Sequence, residues 1–304
     1  MDKPNKPKIL LAVDGSEYAL EAVRYVSKFP TFQKKQIVLF NVYNKIPECY
    51  WDLERNPQVG SRIKSIEVWA RQQEKELQQY MSAAKQILLK ASFPKNSVMI
   101  KRHEREKGLA RDILREAQQG YESVIIGRRG MSKLKDLVLG SVSAKLVEKM
   151  NFAPLFVIGN NPQIGKVLLG LDGSEGALKA VDFVGDTLGK SNFEVKLMHV
   201  IRSDRKEFIE ETKKKIEVLF DEAGARLEIS GFAPEKIATK IVTKAASRAG
   251  AIVKESERGG YGTIVVGRRG MSRVKDFFIG RVSNKIIQLA KEQAICIVDG
   301  KKRV

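Results

Sequence analysis

The sequence predicts an α/β fold made of two tandem, doubly wound, five-stranded parallel-sheet domains. Three observations carry that prediction. Short apolar, β-branched runs alternate with helix-length amphipathic segments along the whole chain. The runs are apolar at consecutive positions, as strands covered on both faces require. The series also occurs twice: Val13-Asp14-Gly15-Ser16-Glu17 returns as Leu171-Asp172-Gly173-Ser174-Glu175, and Gly127-Arg128-Arg129-Gly130 returns as Gly267-Arg268-Arg269-Gly270. A period of about 150 residues marks domain duplication rather than a solenoid, dividing the chain into residues 1–160 and 161–304.

In the first half the pattern predicts a strand at 8–13, a helix from Ser16 to Lys28 and a strand at 36–42. A long helix at 62–91 follows, then a strand at 97–102, a helix at 108–119, a strand at 123–127, a helix at 141–150 and a strand at 154–158. In the second half, strands are expected near 166–171, 194–200, 238–243, 263–267 and 295–299, with helices between them. Ser16 and Ser174 are suited to cap the helices that follow them. Pro30, Pro94 and Pro234 fall after helical segments, where a missing N–H costs little. Gly159-Asn160-Asn161-Pro162 reads as the linker between the halves. The first repeat element recurs at an offset of 158 and the glycine segment at 140, so the first half carries 18 extra residues. Much of that surplus is expected in Asn44–Ser61, which holds Pro47, Trp51, Pro57 and Gly60.

Composition narrows the function classes. Hydrophobic residues make up 43% of the chain, enough for two cores. Cys49 and Cys296 are far apart in unrelated contexts, so neither a disulfide framework nor metal-ligand spacing is present and a reducing cytoplasm is the expected compartment. The apolar run Ile9–Val13 is too short for a signal-peptide core or a membrane span, and no membrane partner is expected. The net charge is +19, with 28 basic and 17 acidic residues in 1–160 (net +11) and 27 and 19 in the remainder (net +8). Both halves are basic, which suits an anionic ligand or simply a solvated basic surface. A nucleic-acid partner is a further reading of that charge; against it, aromatics are only 7% and form no stacking cluster among the basic residues.

The glycine segments hold the chemistry. Each follows a β-branched run and continues through nine residues to a second motif: Gly140-Ser141-Val142-Ser143 in the first copy and Gly280-Arg281-Val282-Ser283 in the second. A strand, a loop with spaced glycines and a helix N-terminus let main-chain N–H groups converge on a phosphate. Gly127, Gly130 and Gly140, like Gly267, Gly270 and Gly280, allow the close approach that a Cβ would block. Arg128, Arg129, Arg268 and Arg269 sit inside the loops and are expected to favour an anion there. Ser141 and Ser283 suit either a helix cap or a phosphate contact. Neither copy is a Walker loop or a Gly-x-Gly-x-x-Gly fingerprint. Asp14 and Asp172 end the first strand of each half, where ligands of doubly wound sheets bind; each suits a base or ribose contact, a water-bridged Mg²⁺, or an Asx turn. Asn41-Val42 and His199-Val200, at the exits of the second strands, could offer backbone groups to an adenine edge. His103 and His199 are the only histidines and neither belongs to a nucleophile motif, so no catalytic residue is assigned.

Taken together, the residues resemble the universal stress protein family in its tandem two-domain form, over 7–160 and 164–300. The specific part is the ATP-type motif Gly-x-x-Gly, nine residues, Gly-Ser/Thr, matched by Gly127, Gly130, Gly140 and Ser141; the Asp-Gly-Ser element at Asp14 and Asp172 is similar too. The resemblance implies strand order 3-2-1-4-5 in each domain, adenosine near Asp14 and Val42, and phosphates on the glycine loop, Ser141 and Ser143. It implies a stress-response regulatory protein with ATP, ADP or AMP as ligand and Mg²⁺ alongside ATP; a protein-interaction scaffold with degenerate nucleotide sites is the alternative, and with no base or Walker lysine evident, hydrolysis is expected to be slow at most. It also implies domain pairing through strands 154–158 and 295–299, internal in a tandem chain and with a homodimer as a further possibility. The second copy departs at Arg281, which either pairs with phosphate oxygens or fills the phosphate pocket, so the first domain is expected to hold nucleotide more dependably.

Overall fold

The computed structural model describes residues 6–44, 60–131, 138–270 and 279–299. Most of the expected insertion, residues 45–59, lies outside them, as do Cys49 and the middle of both glycine loops. In the first half the order is β1 (Lys8–Ala12), α1 (Glu17–Ser27), β2 (Gln36–Tyr43), α2 (Gly60–Lys90), β3 (Val98–Glu104), α3 (Leu109–Ala117), β4 (Ser123–Gly127), α4 (Ser141–Lys149) and β5 (Leu155–Ile158). The second half gives β6 (Lys166–Gly170), α5 (Glu175–Leu188), β7 (Glu194–Val200), α6 (Lys206–Ile229), β8 (Ile237–Val242), α7 (Arg248–Gly259), β9 (Thr263–Gly267), α8 (Arg281–Leu289) and β10 (Ala294–Val298). Each expected strand is present within two residues of its expected bounds. The prolines do more than follow helices: Pro30 and Pro234 open the short 3₁₀ turns Pro30–Lys34 and Pro234–Lys236, where a fixed φ and an absent N–H fit the first position.

Among the described residues, ten strands form one sheet in the order β3-β2-β1-β4-β5-β10-β9-β6-β7-β8. Each half has the 3-2-1-4-5 order and is parallel throughout. The halves meet where β5 and β10 pair antiparallel, with Phe156 opposite Cys296. Left alone, these two fully buried apolar strands would be sticky sheet edges; each covers the other.

Alternation along the strands divides the core into two layers. Ile9 and Leu11 join Ile37, Leu39 and residues of α1 and α2 on one face, while Leu10 joins Val38, Phe40 and residues of α3 and α4 on the other. Both layers run on into the second half. The seam is aromatic on the α1 side: Phe29 and Phe193 have ring centroids 5.1 Å apart, and Phe156 lies 6.3 Å from Tyr25 and 5.9 Å from Phe183. The Tyr25 hydroxyl, fully buried, shares a 2.9 Å hydrogen bond with Thr263 Oγ1 of the other half. Burial pushes the Tyr25 phenol and the Cys296 thiol far above their ordinary values. Among the described residues no helix is long and apolar enough to cross a membrane.

The Tyr25–Thr263 bond is testable. Removing one hydroxyl leaves its partner buried and unpaired, so Tyr25→Phe should cost about 1–2 kcal/mol in urea unfolding. Tyr25→Phe combined with Thr263→Val should cost clearly less than the two single changes summed, because the double variant leaves no orphan.

Candidate functional site

The candidate site is built at the carboxyl ends of the strands. Val13, just past β1, still donates its N–H to Phe40 O at 2.9 Å, and the chain then turns. Asp14 Oδ1 accepts from the Ser16 N–H at 3.0 Å and from Ser16 Oγ at 2.6 Å. Ser16 Oγ in turn accepts from the Ala19 N–H at 3.2 Å and so caps α1. Gly15 between them has φ +93°, which a side chain would resist. The second half repeats the device: Asp172 Oδ1 accepts from the Ser174 N–H at 3.0 Å, and Ser174 caps α5 through Ala177. The Asx turn is therefore present at both aspartates. It uses Oδ1 and leaves Oδ2 against the glycine loop.

Those loops need glycine for space. A Cβ on Gly130 would overlap Asp14 Oδ2, and one on Gly270 would overlap Asp172 Oδ2. A Cβ on Gly127 would lie 2.7 Å from the Tyr18 main-chain carbon, and one on Gly267 2.7 Å from that of Gly176. Each loop closes on itself, with the Gly140 N–H reaching Arg128 O at 3.0 Å and the Gly280 N–H reaching Arg268 O at 2.8 Å. Sheet order thus brings Asp14 and Gly127–Gly130 together in the first half, and Asp172 and Gly267–Gly270 in the second.

The helices that leave the loops begin unusually. Gly140 and Gly280 occupy the N-cap positions of α4 and α8, with no side-chain acceptor and no acidic residue in either first turn. Ser141 and Arg281 are the first helical residues, both exposed; Ser141 does not cap. The other described N-termini are provided for. Serines 16, 174 and 247 cap α1, α5 and α7. Asp112, almost fully buried, accepts the N–H groups of Glu106, Lys107 and Gly108 ahead of α3 at 3.0–3.1 Å. The first turn of α6 holds Glu207. Among helices whose caps are described, α4 and α8 alone lack both a side-chain acceptor and a first-turn carboxylate. Their leading N–H groups carry the positive end of the helix dipole toward the loop mouth.

Four expectations about loop side chains need correction. Arg128 and Arg268 are each only 1% exposed and do not turn toward an anion. Arg128 Nη1 donates to Ala290 O at 2.6 Å, Nη2 donates to Ile287 O, and Nε donates to Val138 O at 2.8 Å. Arg268 Nη1 donates to Val147 O at 2.7 Å and Nη2 to Met150 O, while Nε lies 3.3 Å from Asp299 Oδ2. Each arginine therefore caps the C-terminal turn of the other half's helix, where orphan carbonyls and the negative dipole end favour a cation. Burial, with Arg129 nearby, lowers Arg128 to about 10, which still leaves it charged at neutral pH. Burial lowers Arg268 as well, against the opposing charge of Asp299. Ser143 and Ser283 are likewise turned inward, their hydroxyls donating to Gly127 O at 2.9 Å and Gly267 O at 2.8 Å; they tie helix to strand. Val142 and Val282 pack partly buried on the second core layer.

Arg129 remains at the loop mouth, its guanidinium 5.5 Å from the Tyr18 ring centre and its Nη1 3.3 Å from the Tyr18 hydroxyl. Gly176 stands where Tyr18 does, and Arg269 is exposed. At the second-strand exits, Asn41 Nδ2 donates to Val13 O at 2.8 Å, and His199 Nδ1 sits 2.7 Å from Leu171 O, which fixes the proton on Nδ1. Val42 is partly buried and Val200 buried, both on the second core layer. Sequence alone missed Tyr80, whose hydroxyl donates to Ser16 O at 3.0 Å and braces the Asp14 turn from α2. No local signal marks it, because the contact spans 64 residues.

His199 gives a pH test. Burial holds it below the ordinary 6.5, against the opposing pull of the Leu171 carbonyl and Asp172. The fold therefore prefers the neutral ring: this contribution is fully present above the unfolded pKa of about 6.5 and is lost as pH falls from there through the depressed folded value. Thermal melts between about pH 7.5 and 5 should show the parent losing more stability than His199→Asn, which copies Asn41. Parallel profiles would contradict the assignment.

The family model described as the universal stress protein family matches residues 7–158 and again 163–296. A universal stress protein of Mycolicibacterium smegmatis (strain ATCC 700084 / mc(2)155) is 22% identical over 197 residues, 63% of this chain, and the match spans 63% of that curated relative's length. A universal stress protein structure from Archaeoglobus fulgidus DSM 4304 aligns over 97% of this chain and 98% of that one, with a TM-score of 0.67 at 19% identity. A putative universal stress protein structure from Pseudomonas aeruginosa UCBPP-PA14 covers 97% and 93%, with a TM-score of 0.57 at 15% identity. The two structural likenesses speak for the fold. With two matched segments that fill both halves, the chain belongs to the universal stress protein family.

Proposed function

We propose that this chain is a cytoplasmic, nucleotide-responsive regulator of the stress response that binds ATP, or ADP or AMP, at the strand exits of its halves. The polyphosphate rests on the open N–H groups of α4, and the nucleoside end lies toward Asp14 and the Asn41–Val42 exit. One observation carries the reading: the helices after both glycine loops start uncapped and without a carboxylate, beside glycines that leave no room for a Cβ. In the first half the Ser141 hydroxyl is exposed at the start of α4, and Arg129, held on Tyr18, lies at the loop mouth. In the second half Arg281 and Arg269 take those places.

The described residues hold no group of three or more metal-ligating side chains. Asp14 can still serve Mg²⁺ through water on its Oδ2 side, so the donor set fits a cation that arrives with the triphosphate rather than a resident one. Binding rather than turnover is the activity proposed, since the chain has no Walker lysine and His199 Nδ1 is engaged by a main-chain carbonyl.

Calorimetric titration with Mg-ATP at about 0.15 M and 0.5 M salt tests the reading. Binding should persist at the higher salt, and Gly130→Val should weaken it at least tenfold in the first half by overlapping Asp14. Binding of single-stranded oligonucleotide that collapses steeply with salt, without ATP binding, would replace this reading with a nucleic-acid one. Arg281→Ser should raise the affinity of the weaker, second site; two equal sites unaffected by that change would remove the proposed difference between halves.

A further inference from the structure

The two buried arginines link more than the two halves. We infer that Arg128 and Arg268 couple the two glycine loops, so that a ligand on one loop raises the affinity of the other. The inference rests on the nucleotide reading for its ligand, and on the geometry alone for the linkage.

The connection is a closed ring. Arg128 belongs to the first loop: its N–H donates to Ile158 O at 2.9 Å, and its carbonyl receives the Gly140 N–H that closes the loop. Its guanidinium holds Ala290 O and Ile287 O at the end of α8. That helix begins at Arg281, directly after the second loop. Arg268 belongs to the second loop in the same way, with its N–H on Val298 O and its carbonyl on the Gly280 N–H. Its guanidinium holds Val147 O and Met150 O at the end of α4, and α4 begins at Ser141, directly after the first loop. Each helix therefore has its N-terminus at one loop and its C-terminus in the grip of the other.

The lengths make the link stiff. Each helix has nine residues, about 13 Å, and too few turns to bend. Ser143 and Ser283 pin the first turns to the strand ends, so a shift of a first turn is passed to the last rather than absorbed.

The sign follows from what each ligand needs. An anion on the first loop favours α4 with its first turn formed. A formed α4 presents its last carbonyls to Arg268, and a seated Arg268 holds the second loop closed on Gly280. The second loop favours α8 and the seating of Arg128 by the same steps. Each ligand thus stabilises the one arrangement that the other requires, which is positive coupling and is reciprocal. A purely structural pair of arginines would hold the halves together and leave the two loops independent.

The test uses the full chain and Mg-ATP. Gly130→Val and Gly270→Val each block one loop, and the remaining site should then bind about five- to twentyfold more weakly than it does with the other loop filled. Arg128→Lys and Arg268→Lys keep the charge but lose the two-pronged grip on the carbonyls. In the chain carrying both lysines, each site should bind with the same affinity whether or not the other is filled. Coupling that survives in that chain, or its absence from the parent, would overturn the inference while leaving the nucleotide reading intact. Failure of either loop to bind any nucleotide would remove the reading, and the linkage would then be judged by hydrogen exchange. There Arg128→Lys should speed exchange at least tenfold at Asn284, whose N–H donates to Gly280 O at 2.9 Å at the far end of α8, with β9 unchanged. No change at Asn284 would overturn it.

Discussion

The molecule depends on the antiparallel pairing of β5 with β10. Each is the last strand of its half and is apolar at every position, so each half alone would expose a fully apolar sheet edge. Joining the two edges makes one sheet of ten strands and extends both core layers across the seam. It also brings the end of α4 within reach of one glycine loop and the end of α8 within reach of the other. The arginine caps are a consequence of that closeness. They satisfy carbonyls that would otherwise end a helix in a dry interface.

At the site, the governing constraint is volume. Gly15 and Gly173 are required by a left-handed φ, but the loop glycines are required by what stands next to them. Asp14 and Asp172 crowd the second glycine of each loop, and the first turns of α1 and α5 crowd the first. A loop drawn in this tightly leaves its main chain, rather than side chains, facing the helix N-terminus. That is why arginines within the motif could be turned inward without emptying the mouth of N–H donors.

Much of this was legible in the sequence. Element types, the duplication, the glycine loops and the aspartate turns all follow from local pattern, because consecutive residues determine strand periodicity, caps and turns. The roles of Arg128 and Arg268 were not legible. A Gly-Arg-Arg-Gly string beside a helix N-terminus reads as an anion site on local grounds; only the seam shows the first arginine of each pair facing a helix end far off in sequence, 159 and 162 residues away for Arg128 and 118 and 121 for Arg268. The inward turn of Ser143 and Ser283 was not legible either, because the carbonyls they reach end the preceding strand of the same half, 16 residues back. Tyr80 had no signal at all, because its role arises where α2 crosses the Asp14 turn.

The fused seam has an evolutionary consequence. In an assembly of identical subunits, every substitution is made on both sides of the symmetry axis at once. Here the copies are encoded separately, and they differ at matching places: Tyr18 against Gly176, Asn41 against His199, Ser141 against Arg281. The frame they share, from Asx turn to reciprocal cap, has stayed the same. A single polypeptide of this design can hold one mouth to an ancestral preference while its twin explores another, and no partner chain has to be recruited to keep the pair together.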